Sequence, residues 1–187
     1  KLLRKELGLD EDKTILLFNG TLDYRPNYNA VEILITRIEP LLRKRLNNYE
    51  IIITGNRAPK KLIKKISSNP GIYFKGYVDD INLYYQVADL FINPVSNDTG
   101  VKTKLIEAIA NNCTVISTES GASGIQKELC DDKLVTVADD NWTGFANSII
   151  EHLNQPLSET PQSFYDCYLW TNIATKATKK INEILKQ

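Results

Sequence analysis

Six short apolar runs, separated by longer stretches of helical periodicity, constrain this chain more than any other feature. They are Thr14–Gly20 (TILLFNG), Tyr49–Gly55 (YEIIITG), Ile72–Val78 (IYFKGYV), Leu90–Val95 (LFINPV), Thr114–Thr118 (TVIST) and Lys133–Ala138 (KLVTVA). Runs this dense in Val, Ile and Leu suit strands buried on both faces, the condition of a parallel sheet. Between them, Asn27–Leu46 repeats Ala30, Leu34, Ile38, Leu41 and Leu42 at helical spacing, with Pro26 at its start. Lys60–Ser68 is a short basic helix with Leu62, Ile63 and Ile66 on its apolar side, and Asp79–Ala88 a helix whose Asp79 and Asp80 suit the N-terminal dipole. Ser123–Leu129 reads as a short helix, and Asn141–Leu153 and Ser163–Lys186 as the closing helices. With right-handed crossovers, this pattern predicts an α/β fold with a Rossmann-like, doubly wound, parallel six-stranded sheet. Ligands of such sheets sit outside the carboxyl ends of the strands, where the strand order reverses. If the order is 3-2-1-4-5-6, the loops after the first and fourth strands flank that point. No internal repeat or long linker interrupts the chain, so residues 1–187 are expected to form one domain.

Composition removes several classes. With 187 residues and 42% hydrophobic content, the chain can bury a sizeable core. Lys plus Arg and Asp plus Glu number 23 each, so no net field draws it to nucleic acid. Cys113, Cys130 and Cys167 have no paired spacing, which predicts free, mostly buried thiols in a reducing compartment. No apolar run approaches the roughly 20 residues of a spanning helix. Met is absent and the chain opens in mid-helix style with KLLRKELGLD, so a fragment lacking a preceding segment is expected.

The stretch from Asn97 to Gly121, NDTGVKTKLIEAIANNCTVISTESG, concentrates the candidate chemistry. A polar loop opens onto a helix N-terminus, where free N–H groups and the dipole suit a phosphate. At about 100° per residue, Val101, Leu105, Ala108 and Ile109 form the core stripe, and Gly100, Thr103 and Glu107 share another face. From there a carboxylate can accept two hydrogen bonds from vicinal ribose hydroxyls. The competing reading is a surface Glu paired with Lys102 or Lys104. Those two lysines lie in the first turn, where the dipole disfavours cations, so either an anion is expected there or they are simply solvated.

Elsewhere the signals are weaker. The loop Gly20–Asn27 has one glycine and lacks both GxGxxG and GxxxxGK[ST], which argues against NAD enzymes and P-loop NTPases. Gly20 lets a ligand approach the backbone and Arg25 can reach a phosphate; the alternative is an ordinary turn with a solvated Arg. The only His is His152, and no cluster has metal-ligand spacing; GxSxG is absent too. Arg43-Lys44-Arg45 and Lys60, Lys61, Lys64 and Lys65 read as solvated helix faces, with a weak contact to anionic lipid heads as the second reading.

In order along the chain, LRKELGLDEDKTILLFNGTLDYRPNYNAV, YEIIITGN, GIYFKGYVDDINLYYQVADLFINPV, GVKTKLIEAIANNCTVISTESGASGI and the closing helix with Trp170 resemble the C-terminal, donor-binding lobe of two-lobed (GT-B) glycosyltransferases of the group 1, family 4 retaining class. The resemblance covers nearly the whole chain. It implies that Glu107 binds the donor ribose and that Gly76, Tyr77 and Val78 border the nucleobase. It also implies that Gly20, Thr21, Arg25, Thr99, Gly100, Val101, Lys102, Thr103 and Lys104 surround the diphosphate and sugar. Two departures stand out: Thr99 replaces a second Glu of many relatives, and Thr21 an Arg. Lys102 and Lys104 are the candidates to replace that charge. The implied protein is a hexosyltransferase of bacterial lipopolysaccharide or surface-polysaccharide assembly, without metal or cofactor. Its substrates are a nucleotide-sugar donor and a saccharide or glycolipid acceptor held by an absent N-terminal lobe, and this piece alone is inactive. The implied setting is cytoplasmic, with peripheral contact at the inner membrane. Rival classes are an epimerase or phosphorylase relative of the same architecture, and a flavodoxin- or receiver-like domain without enzymatic activity.

Overall fold

The computed structural model describes residues 2–96, 100, 102–156 and 158–185. Its six strands are β1 (Thr14–Asn19), β2 (Tyr49–Thr54), β3 (Ile72–Gly76), β4 (Leu90–Asn93), β5 (Val115–Thr118) and β6 (Leu134–Val137). They form one sheet in the order β3-β2-β1-β4-β5-β6, with every neighbouring pair parallel. This is the doubly wound Rossmann-like order, and its reversal lies between β1 and β4. Alternation along each strand supplies both layers of core. Leu16 and Phe18 face one layer with Ile51, Ile53, Ile92 and Ile116; Ile15 and Leu17 face the other with Ile52, Phe91 and Val115.

Helices α1 (Leu2–Glu6), α2 (Arg25–Ile33), α3 (Glu39–Leu42), α4 (Lys60–Ser67), α5 (Ile81–Val87), α6 (Thr103–Ala110), α7 (Trp142–His152), α8 (Gln162–Tyr168) and α9 (Trp170–Ile184) flank the sheet or extend from it. Helix α1 is tied down by Arg4, whose guanidinium forks onto both Asp89 carboxylate oxygens at 2.9 Å and also donates to Val87 O and Lys13 O. Asp80 caps α5 by accepting from Asn82 N at 2.9 Å, and Asn141 caps α7 by accepting from Gly144 N at 2.9 Å. Cys113 and Cys130 are buried, free thiols, pushed up to about 12 and about 11, chiefly by burial.

Three helices depart from the sequence expectation. Asn27–Leu46 is not uniformly α-helical: a π turn over Leu34–Ile38 separates α2 from α3. Pro40 explains it, because its ring would strike the carbonyl four residues back and it has no N–H to donate. The wider turn, closed by Glu39 N on Leu34 O, opens the ladder just before the ring. Ser123–Leu129 forms no α-helix: it holds one 3₁₀ turn, Lys127–Leu129, and a second, Ser120–Ala122, precedes it. Gly124, at φ +86°, breaks the path between them. Ser163–Lys186 is broken at Leu169, whose backbone is extended. Phe164, Tyr165 and Tyr168 form an aromatic anchor, with Phe164 buried and the Tyr165 hydroxyl donating to Ala110 O at 3.0 Å. The break lets α9 leave that anchor, and α9 buries none of its described residues.

The basic runs are only partly solvated. Lys65 pairs with Glu32, Arg45 donates to Asn147 Oδ1, and Arg43 holds the buried Glu39 at 2.7 Å. Glu39 also accepts from the Tyr49 hydroxyl at 3.1 Å and from Asn69 Nδ2 at 3.2 Å, joining α3 to the starts of β2 and β3. Glu39→Ala leaves those donors without their acceptor and is expected to cost about 2 kcal/mol, read as a lower midpoint in urea unfolding. A midpoint equal to wild type would show that water replaces the carboxylate without loss.

Candidate functional site

The carboxyl ends of β1, β2 and β3 are laced by main-chain bonds that continue past the strands: Gly20 N to Thr54 O at 3.2 Å, Leu22 N to Asn56 O at 2.9 Å and Gly55 N to Gly76 O at 2.8 Å. The backbones of Gly20 and Gly55 approach so closely that a Cβ on Gly55 would stand 1.9 Å from Gly20 O. This pair helps line a cleft of about 500 Å³ at the reversal of strand order. That volume suits a small-molecule ligand. Asn19 lines it at the end of β1 and Thr21, Tyr24 and Asn27 after it, Thr54 and Asn56 at the end of β2, and Tyr77, Val78, Asp79 and Ile81 after β3. Lys102, Thr103, Lys104 and Glu107 line it from the start of α6.

Helix α6 aims its start into the cleft because its other side is core: Leu105, Ala108 and Ile109 are fully buried. Lys102 is the N-cap residue, only 5% exposed. Lys104 Nζ donates to Asn27 Oδ1 at 2.9 Å and stands 4.7 Å from the centre of the Phe18 ring, which ties α6 to the first turn of α2. The competing reading, a surface pair of Glu107 with either lysine, is not among the ion pairs of the described residues. Its described side-chain partner is instead the Tyr85 hydroxyl, 3.5 Å from Oε2. The carboxylate is open to the cleft, yet protein crowds its other sides. This partial desolvation holds it above the usual carboxylate range, opposed by the Tyr85 hydrogen bond. Among the described residues, no three or more His, Cys, Asp or Glu side chains group to hold a metal ion.

Residues 13–155, well over half of the chain, match the family described as glycosyl transferases group 1. The chain belongs to that family.

This group 1 glycosyl transferase chain also matches an uncharacterized 44.6 kDa protein in the cps region of Klebsiella pneumoniae, 26% identical over 117 residues that span 58% of this chain and 30% of that protein. A glycosyltransferase from Rickettsia africae ESF-5 shares the fold at 17% identity and TM-score 0.76, over 98% of this chain and 51% of that one. WaaG, a glycosyltransferase involved in lipopolysaccharide biosynthesis, does so at 20% identity and TM-score 0.61, over 82% of this chain and 41% of that one. The chain thus spans about half the length of these structures or less, and at such identities the likeness is one of fold. That fold is the C-terminal lobe of a GT-B architecture.

Within the family lobe, the cleft gathers eight of the sequence-picked residues: Gly20, Thr21, Tyr77, Val78, Lys102, Thr103, Lys104 and Glu107. Arg25 is exposed at the first position of α2 and is not among the residues lining the cleft. Gly76 (φ +74°) and Gly100 (φ +90°) lie outside that lining too. Thr99 and Val101 lie outside the described residues. Sequence reasoning passed over Asn19, Asn27, Thr54 and Tyr85. A polar residue ending an otherwise apolar strand, as Asn19 and Thr54 do, is the signal that could have found two of them.

Proposed function

We propose that this chain is the nucleotide-sugar-binding half of a retaining, metal-independent hexosyltransferase acting in lipopolysaccharide or other surface-polysaccharide assembly. The observation that carries the reading is the cleft at the strand-order reversal, where Glu107, Lys102, Lys104 and the α6 N-terminus converge. Glu107 accepts from the ribose hydroxyls. Tyr77 and Val78 border the base, and Gly20 and Thr21 let the diphosphate approach the backbone. The N-terminal amides of α6 and the two lysines stabilise the diphosphate as it departs and gathers charge, in place of a metal ion. Family membership and the likeness to WaaG support the transferase class and the setting. The acceptor, a saccharide or glycolipid, meets the donor across a second lobe, and the present chain alone transfers nothing. The protein works in the cytoplasm with at most peripheral membrane contact. Among the described residues no helix is long and apolar enough to cross a membrane.

The test is a panel of UDP-, GDP-, ADP- and dTDP-sugars followed by NMR and thermal shift. One base is expected to bind in the submillimolar to millimolar range and to shift signals of Tyr77, Thr103 and Glu107. Absence of binding by all four at several millimolar would overturn the reading.

A further inference from the structure

We infer that Tyr85, held by Asn19, is a positioning residue that fixes the Glu107 carboxylate as a ribose-hydroxyl acceptor. The inference rests on the ribose-binding reading of Glu107 and extends it to Tyr85, which lies outside the cleft lining, and to its partner Asn19, which lies within it.

Tyr85 is buried, 1% exposed, and its ring stands edge-on to Phe91 with centroids 5.5 Å apart. A buried Tyr hydroxyl needs partners, and here they are polar groups at the cleft. Asn19 Nδ2 donates to the Tyr85 oxygen at 2.9 Å. With that acceptor position filled, the phenolic proton is directed at Glu107 Oε2, 3.5 Å away. This distance exceeds a good O–H···O⁻ bond, and such bonds often tighten when ligand is held.

The neighbouring helix surfaces fix the register. One turn beyond Glu107, Asn111 donates to Asn82 Oδ1 at 2.9 Å, accepts from Gln86 Nε2 at 3.3 Å and donates back to Glu107 O at 3.0 Å. These contacts lock α5 against α6, so that Tyr85 faces Glu107. A carboxylate free to rotate would lose orientation entropy on gripping two vicinal hydroxyls. One restrained at Oε2 by the Tyr85 hydroxyl has less of it to lose.

Other titratable groups share the cleft. Lys102 and Lys104 come from the start of α6, Asp79 and Tyr77 from the segment after β3, and Tyr24 from the segment after β1. Of the groups described around the carboxylate, Tyr85 is the one that donates to it, and this bond opposes the upward push of burial. Without it the carboxylate protonates at higher pH.

The experiment compares the wild-type chain, Tyr85→Phe, Asn19→Ala and Glu107→Ala. Binding of UDP, GDP and ADP and of their 2′-deoxy forms is measured by calorimetry across pH, and the ribose-to-deoxyribose affinity ratio is taken for the base that binds. The ratio cancels the titration of the diphosphate. Tyr85→Phe is expected to lower the ratio roughly fivefold and to move its fall on the acid side to higher pH, with Asn19→Ala smaller in the same direction. An unchanged ratio and acid limb in Tyr85→Phe, while Glu107→Ala loses the ratio, would reduce Tyr85 to a packing residue. An equal loss of affinity for both forms would do the same. A wild-type ratio in Glu107→Ala would instead remove the ribose reading itself, and the positioning role with it.

Discussion

Glu107→Ala is expected to lower kcat/KM of the proposed two-lobed enzyme about 100-fold or more while the fold stays intact. A carboxylate accepting two hydroxyls makes charge-assisted hydrogen bonds, each worth about 1.5–3 kcal/mol. Loss of one such bond alone is about a tenfold effect, and both together reach the stated range. Stability moves the other way. The carboxylate is held above its usual range in the folded protein, chiefly by burial. The folded state therefore keeps a proton that the unfolded chain has released, and stability falls as pH rises between the two pKa values. Above the folded value Glu107 costs stability, and below the unfolded value the cost vanishes. Glu107→Ala should thus melt at or slightly above wild type at neutral pH, with the difference gone in acid. Such a variant, inactive but undiminished in stability, is the pattern of a residue retained for binding. Wild-type transfer rates would exclude Glu107 from the site, and a large fall in melting temperature would make it a structural residue.

Layer architecture was legible because it is written in local chemistry. Ile51, Ile52 and Ile53 run consecutively, as only a strand buried on both faces would have them, and each finds one of the two cores. The start of α6 was legible for a similar reason: one stripe of Leu105, Ala108 and Ile109 fixes where the remaining side chains point. What escaped depends on contacts distant in sequence. Pro40 within Asn27–Leu46 was a local warning, but the π turn that accommodates it exists because Leu34 and Ile38 must still reach the core. The break at Leu169 serves the docking of Phe164 and Tyr165, which sequence periodicity does not encode. Locally, Tyr85 has nothing to distinguish it from the neighbouring Tyr84 of α5. Its partner Asn19 is 66 positions away and Glu107 is 22, and only the strand order brings the three together. Arg25 shows the converse: a basic residue close in sequence to the glycine loop, turned to solvent by the helix it begins.

Gly55→Ala is expected to be the most damaging substitution for the fold of the cleft, lowering stability by about 3–5 kcal/mol. Two costs combine. At φ +141° the backbone occupies a region that L side chains rarely adopt, worth about 1–3 kcal/mol. The new methyl would also stand 1.9 Å from Gly20 O and 2.9 Å from Gly20 C, and main chain cannot swing aside as a flexible side chain would. Forcing it apart strains the bonds from Gly20 N to Thr54 O and from Gly55 N to Gly76 O that join the three strand ends. For a chain of this size the sum corresponds to a melting temperature lower by about 10 °C. Gly76→Ala separates the two costs. Gly76 is also at positive φ, +74°, but no atom lies within 4 Å of its would-be Cβ, so only the conformational cost of about 1–2 kcal/mol applies. Thermal melts of the two variants therefore measure the close approach of the glycine backbones directly. Equal destabilisation would mean that Gly20 and Gly55 do not touch as described. A much larger loss for Gly55→Ala, with weakened nucleotide binding under conditions where it remains folded, would show that the same contact shapes the cleft.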